Sequence, residues 1–108
     1  MSPIDYRNAT FESLRERLHG LRYLVLEAWR VHGPGTTREV AERAHMDILT
    51  FRPRTTELVQ LGFVHLVDEE RGGTEGRYEA LSDEQARSIF EHRRHEAIHG
   101  FQPELNLK

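Results

Sequence analysis

From Thr10 onward, apolar residues recur with a helical period: Leu14, Leu18, Leu21, Leu24, Val25, Ala28 and Trp29, with Glu12, Arg15, Glu16, Arg17, Arg22 and Arg30 filling the gaps. Thr10 is a suitable N-cap. The spacing predicts one bent helix over 11–32, with His19-Gly20 at the bend and His32-Gly33-Pro34-Gly35 as the stop. Thr36-Thr37-Arg38-Glu39 then has the form of a capping box, in which the Thr36 hydroxyl and the Glu39 carboxylate each satisfy the other's backbone N–H. It opens a helix over 37–44 that points Val40, Ala41 and Ala44 inward, and His45-Met46 makes the turn. A second amphipathic stretch ends at Gly62. At about 100° per residue, Phe51, Thr55 and Leu58 share one side with Leu61 at its edge, and Arg52, Pro53, Thr56, Glu57 and Gln60 share the other. Asp47 and Thr50 are both available to cap it. Thr50 is the cheaper start, because Pro53 then lies in the first turn, where its missing N–H costs little. A start at Asp47 puts Pro53 in the second turn and removes a helical hydrogen bond.

The pattern changes at Phe63. Residues 63–67 read as an apolar strand interrupted by His65, and residues 77–81 as its return. Between them, Glu70-Arg71-Gly72-Gly73-Thr74-Glu75-Gly76 has the glycines of a hairpin loop. Ser82-Asp83-Glu84-Gln85 starts a last helix with a cap and early acids that suit the helix dipole. Ala86, Ile89, Phe90 and Ala97 lie on one face of it, and Gly100 ends it. The expected class is mainly α with a β-hairpin (α+β). The expected divisions are a flexible N-terminus over 1–9, the main domain over 10–81, an additional helix over 82–100 that packs or dimerises, and a flexible tail over 101–108.

At 108 residues the chain has room for one core without metal or disulfide support. It has no cysteine, which excludes a disulfide framework, a thiolate nucleophile and a cysteine-based zinc site. No signal pattern opens it and no apolar run approaches a membrane span, so the default address is the cytoplasm. Net charge is −3, which argues against a nonspecific nucleic-acid coat. Its distribution is uneven. Over 36–62, Arg38, Arg43, Arg52 and Arg54 balance Glu39, Glu42, Asp47 and Glu57. Over 63–81, Arg71 and Arg77 face Asp68, Glu69, Glu70, Glu75 and Glu79, so the hairpin is acidic. Every strong cation except Lys108 is arginine, the better fork for guanine or phosphate.

The polar side of the 50–61 helix carries the candidate chemistry. Arg and Gln make bidentate hydrogen bonds to base edges, and Thr bonds to bases or phosphates. Thr36-Thr37-Arg38-Glu39-Val40-Ala41-Glu42, then Arg52-Pro53-Arg54-Thr55-Thr56-Glu57-Leu58, then Leu61-Gly62-Phe63-Val64 and Gly76-Arg77-Tyr78 together resemble the winged helix-turn-helix domain over about residues 20–81. The Leu61-Gly62-Phe63-Val64 exit resembles that of MarR-type regulators, and the run from Arg52 to Leu58 is similar to small winged-helix proteins of phages and prophages. The resemblance implies a winged helix-turn-helix with an added C-terminal helix, binding double-stranded DNA as a small transcriptional regulator. It implies Arg52, Thr56 and Gln60 at the major groove, Arg38 and Thr50 near phosphates, and Arg71 and Arg77 on the wing, with Arg54 a further candidate contact. Two features run against it: Glu57 beside the stripe repels phosphate, and the Asp68-Glu69-Glu70 wing is short of positive charge. The alternative is a protein–protein adaptor on the same fold, used in phage replication or assembly without DNA.

His92, His95 and His99 fall on one face of the last helix with Glu96 nearby and are the candidate metal ligands. Spread over two turns of a single helix, they reach one ion in pairs rather than all together, so a solvated or dimer-lining face is the preferred reading and neither metal nor cofactor is expected. No nucleophile–base pattern, phosphate loop or His-Glu-x-x-His run appears, and no enzymatic activity is expected. Trp29 and Tyr23 are expected in the core or a dimer contact. The expected partners are double-stranded DNA, a second copy of the chain and possible protein contacts through the last helix or tail, with no membrane.

Overall fold

The computed structural model describes residues 4–69 and 75–99. The 11–32 segment is two helices rather than one bent helix: α1 (Phe11–Arg15) and α2 (Gly20–His32). The chain turns between them through Gly20 at φ +58°. A left-handed residue interrupts a right-handed helix, which the apolar period alone does not reveal. β1 (Gly35–Thr36) and α3 (Thr37–Arg43) follow, then α4 (Ile48–Leu61), β2 (Val64–Glu69), β3 (Gly76–Ala80) and α5 (Asp83–His99).

The capping box at Thr36 and Glu39 forms as expected. α3 ends in a Schellman turn, with Met46 N–H donating to Ala41 O, His45 N–H to Glu42 O, and His45 left-handed at φ +57°. α4 ends the same way through Phe63 N–H to Leu58 O and Gly62 at φ +92°. Its start corrects the sequence reading. The helix begins after Asp47, whose carbonyl accepts from Phe51 N–H at 2.8 Å, so Pro53 lies inside it rather than in its first turn. Pro53 and Leu49 are both exposed, and water can satisfy the carbonyl that loses its partner there.

β1, β3 and β2 form a three-stranded antiparallel sheet in that order. The two-residue β1 has no sequence signature. Val67 is an extra residue in β2 between the Leu66–Tyr78 and Asp68–Arg77 pairings, and it bends the wing. Behind sheet and helices lies one core that includes Trp29, Phe51, Leu58, Phe63, Leu26, Val40 and Phe90. Trp29 packs on Phe51 and Tyr78, with ring centroids 5.7 and 6.0 Å apart. Tyr23, by contrast, is exposed.

α5 folds back on its own chain. Ala86 and Phe90 are buried, and Phe90 meets Phe11 and Tyr6. The segment before α1 lies along it: Arg7 Nε donates to Ala97 O at 2.9 Å, and Arg93 bridges the Tyr6 hydroxyl and Gln60 O. The expected tail over 101–108, Gly100 and the loop over 70–74 lie outside the described residues.

Candidate nucleic-acid interface

α4 is held from behind by its buried side. Phe51, Thr55 and Leu58 are buried, and the Thr55 hydroxyl accepts from Trp29 Nε1 at 2.9 Å. Arg52, Thr56 and Gln60 are exposed on the other side. The Thr56 hydroxyl donates back to Arg52 O at 3.2 Å, a bond that a stronger acceptor can replace. Thr50 is half-buried at the helix start, 3.4 Å from the Asp47 carboxylate.

Glu57 does not stand free beside this stripe. Its carboxylate accepts from Arg22 Nε at 2.7 Å and from Arg54 Nη2 at 2.9 Å, and its side chain is 16% exposed. At about 100° per residue Glu57 sits at the border of the two helix faces, and Arg22 on α2 draws it inward. The phosphate repulsion read from the sequence is therefore answered by two guanidiniums. Arg54, a candidate contact that lies off the polar stripe, is drawn by the same bond into a half-buried network.

Two further arginines come from other elements, Arg38 from α3 and Arg77 from β3. Arg38, near the start of α3, places Nε 3.6 Å from Glu75 Oε2, and Arg52 places Nη2 3.7 Å from Glu75 Oε1. Arg77 of β3 lies 3.5 Å from Glu39 Oε1, the atom that also accepts from Thr36 N–H. That N–H first, and then the Arg77 and Arg43 guanidiniums, hold the Glu39 carboxyl below the usual glutamate range. The fold thus joins Arg38 of α3 to Arg52 of α4 through Glu75 and Arg77 of β3 to α3 through Glu39, while Thr56 and Gln60 follow Arg52 along the exposed side of α4. Arg71 lies outside the described residues. The sequence reading missed Arg22 and the role of Glu75. Neither had a signal, since each acts on a partner far along the chain.

On α5, His92 turns to Glu96 (3.7 Å) while the rings of His95 and His99 lie 4.2 Å apart. Among the described residues no three His, Asp or Glu side chains are grouped to hold a metal ion, and no helix is long and apolar enough to cross a membrane.

No family model matches this chain, and no curated protein matches it. Solved structures do. The chain is similar to BpsR of Bordetella bronchiseptica, whose structure concerns regulation of its DNA binding by 6-hydroxynicotinic acid: 14% identity, 90% of this chain and 82% of that one covered, TM-score 0.52. It is also similar to the PcaV transcriptional regulator of Streptomyces coelicolor, at 22% identity with 85% and 71% covered and a TM-score of 0.49. At such identity the likeness to BpsR speaks to fold alone, and with the element order it defines the class: this is a winged-helix protein, mainly α with a β wing and an added C-terminal helix.

Proposed function

We propose that the chain binds double-stranded DNA as a small transcriptional regulator. The observation that carries this reading is the exposure of Arg52, Thr56 and Gln60 along one side of α4, opposite its buried Phe51–Thr55–Leu58 side, with Arg38 of α3 reaching the same Glu75 carboxylate as Arg52. In a major groove, Arg52 matches the acceptor pair of guanine and Gln60 the donor–acceptor pair of adenine. Arg38, Thr50 and Arg77 serve phosphates, as do the N–H groups of Arg52 left over from its base contact, and phosphates set register rather than sequence. Arg71 belongs to the same reading as a wing contact. The phage-type setting rests on the sequence resemblance.

A two-fold dimer belongs to this proposal, because it would present two α4 helices to half-sites one DNA turn, about 34 Å, apart. Ala86 and Phe90 of α5 are spent on the chain's own core, whereas Ile98 on α5 and Leu24 and Val31 on α2 remain exposed for a second copy.

Electrophoretic retardation of a random duplex tests the reading. Retardation at low salt that fades as salt rises is expected, and its absence at low salt overturns the proposal. The second reading is a winged-helix adaptor that binds protein. Its support is the pair of carboxylates, Glu75 and Glu39, that already face Arg38, Arg52 and Arg77.

A further inference from the structure

We infer that Arg38 and Arg52 form a phosphate-binding pair which the free protein fills with its own wing carboxylate, Glu75. The inference rests on the DNA reading above and adds a competitor built into the same surface. Glu75 lies between two guanidiniums from different helices, one on α3 and one on α4, at 3.6 and 3.7 Å. Its side chain is 25% exposed while those of Arg38 and Arg52 are 62% and 49% exposed, so the carboxylate is the inner member of the trio. Its Oε1 is buried without a hydrogen-bond partner. A buried acceptor left without a hydrogen bond is costly. The carboxylate is held by charge at ion-pair distance and not by the short, aligned bonds that make guanidinium–anion pairs strong.

A phosphate suits this position better. Its oxygens can accept hydrogen bonds from both guanidiniums at once, and both arginines face solvent from which it arrives. Duplex binding then has to expel Glu75, which lowers affinity for every sequence alike. That cost is the same at every site, so the carboxylate weakens specific and nonspecific binding together and leaves the difference between sites unchanged. Only a site where Arg52 also gains a base contact offsets it. Glu79, on the strand that follows Glu75, is the matched control: it is exposed and lies 3.3 Å from His65 rather than against an arginine.

The test compares wild type, Glu75→Gln and Glu79→Gln by fluorescence anisotropy with a random duplex at one fixed salt concentration. Glu75→Gln is expected to bind about tenfold tighter than wild type, in line with freeing one charge-assisted phosphate site. Glu79→Gln is expected to stay near wild type, and the gain is expected to vanish when Glu75→Gln is combined with Arg38→Ala and Arg52→Ala. A second readout needs no DNA: sulfate is expected to raise the melting temperature of Glu75→Gln more than that of wild type or Glu79→Gln. Equal gains in the two glutamine variants would reduce the effect to net charge and overturn the inference. Duplex binding by wild type with no gain in Glu75→Gln by either readout would also overturn it, leaving the DNA reading intact. Sulfate stabilisation of Glu75→Gln without duplex binding by any variant would sustain the self-filled anion site and overturn the DNA reading.

Discussion

Trp29 donates its indole N–H to the Thr55 hydroxyl at 2.9 Å, and both residues are buried. This bond fixes the rotation of α4 about its axis, because Thr55 lies on the side opposite the exposed stripe. Thr55→Val keeps the shape and removes the acceptor, leaving a buried donor unsatisfied at a cost of ~1–3 kcal/mol. A fall in melting temperature of about 4–8 °C per kcal/mol is expected for a domain of this size. Thr55→Ser keeps the acceptor and is expected to lose less. Thermal unfolding followed by circular dichroism distinguishes the two.

Glu57 ties α4 to α2 through Arg22 and to its own helix through Arg54. Glu57→Ala leaves two guanidiniums without their carboxylate, one of them with Arg54 Nε already buried and unpartnered. Hydrogen bonds to charged groups contribute ~1.5–3 kcal/mol, and the lower end is expected for this partly exposed network. Urea denaturation of wild type and Glu57→Ala checks it. A variant as stable as wild type would mean that the network contributes nothing.

Among the described residues, left-handed residues mark three turns. Gly62 closes α4 at φ +92°, and a Cβ there would come within 3.3 Å of Ile89 Cγ2 and 3.5 Å of Arg93 Nη1. Gly20, at φ +58°, has open space around it. Both Gly→Ala changes carry the backbone cost of ~1–2 kcal/mol for a non-glycine residue in this region. Gly62→Ala is expected to be the worse of the two because it also presses on α5. His45 already bears that strain at φ +57°, and His45→Gly is expected to stabilise the protein by up to ~1 kcal/mol. Melting temperatures of the three variants give the order.

The capping carboxylate sets a pH dependence. Glu39 titrates below its ordinary value, held there by Thr36 N–H and then by Arg77 and Arg43. Asp5 is lowered by the Asn8 amide, and Glu12 by its own backbone N–H and then by Arg87. A carboxyl whose folded pKa is depressed favours the folded state above its unfolded pKa of about 4. That contribution is lost as the pH falls through the lower folded value. Glu39→Gln keeps an acceptor for Thr36 N–H, so its stability difference from wild type isolates the charge. The difference is expected to be present at pH 6 and to disappear on acidification below about pH 4. Urea midpoints across that range measure it.

Local chemistry was legible in the chain. The Thr36–Glu39 capping box, the burial of Phe51, Thr55 and Leu58, and the hairpin after Gly62 each depend on residues a few positions apart. What escaped depends on distant pairs or on one backbone angle. Gly20 splits the first helical segment because its φ is positive, and the apolar period runs through it unbroken. Pro53 argued for a start at Thr50, but the Asp47 carbonyl supports one more turn at an exposed stretch that tolerates a missing bond. Glu57 and Glu75 counted simply as negative charge, yet one is bonded to Arg22 from another helix and the other sits between Arg38 and Arg52. Charge counted along a sequence does not show which cation each carboxylate meets.

Backbone amide shifts of the protein titrated with a short random duplex at low salt test the proposed interface most directly. The perturbed amides are expected to cluster at the start of α3 around Arg38, along Arg52, Thr56 and Gln60 of α4, and at Arg77 of β3. They should fade together as salt rises, as phosphate contacts require. Perturbation centred instead on Leu24 and Val31 of α2 or on α5, or no perturbation at all, would contradict α4 as the DNA-reading element.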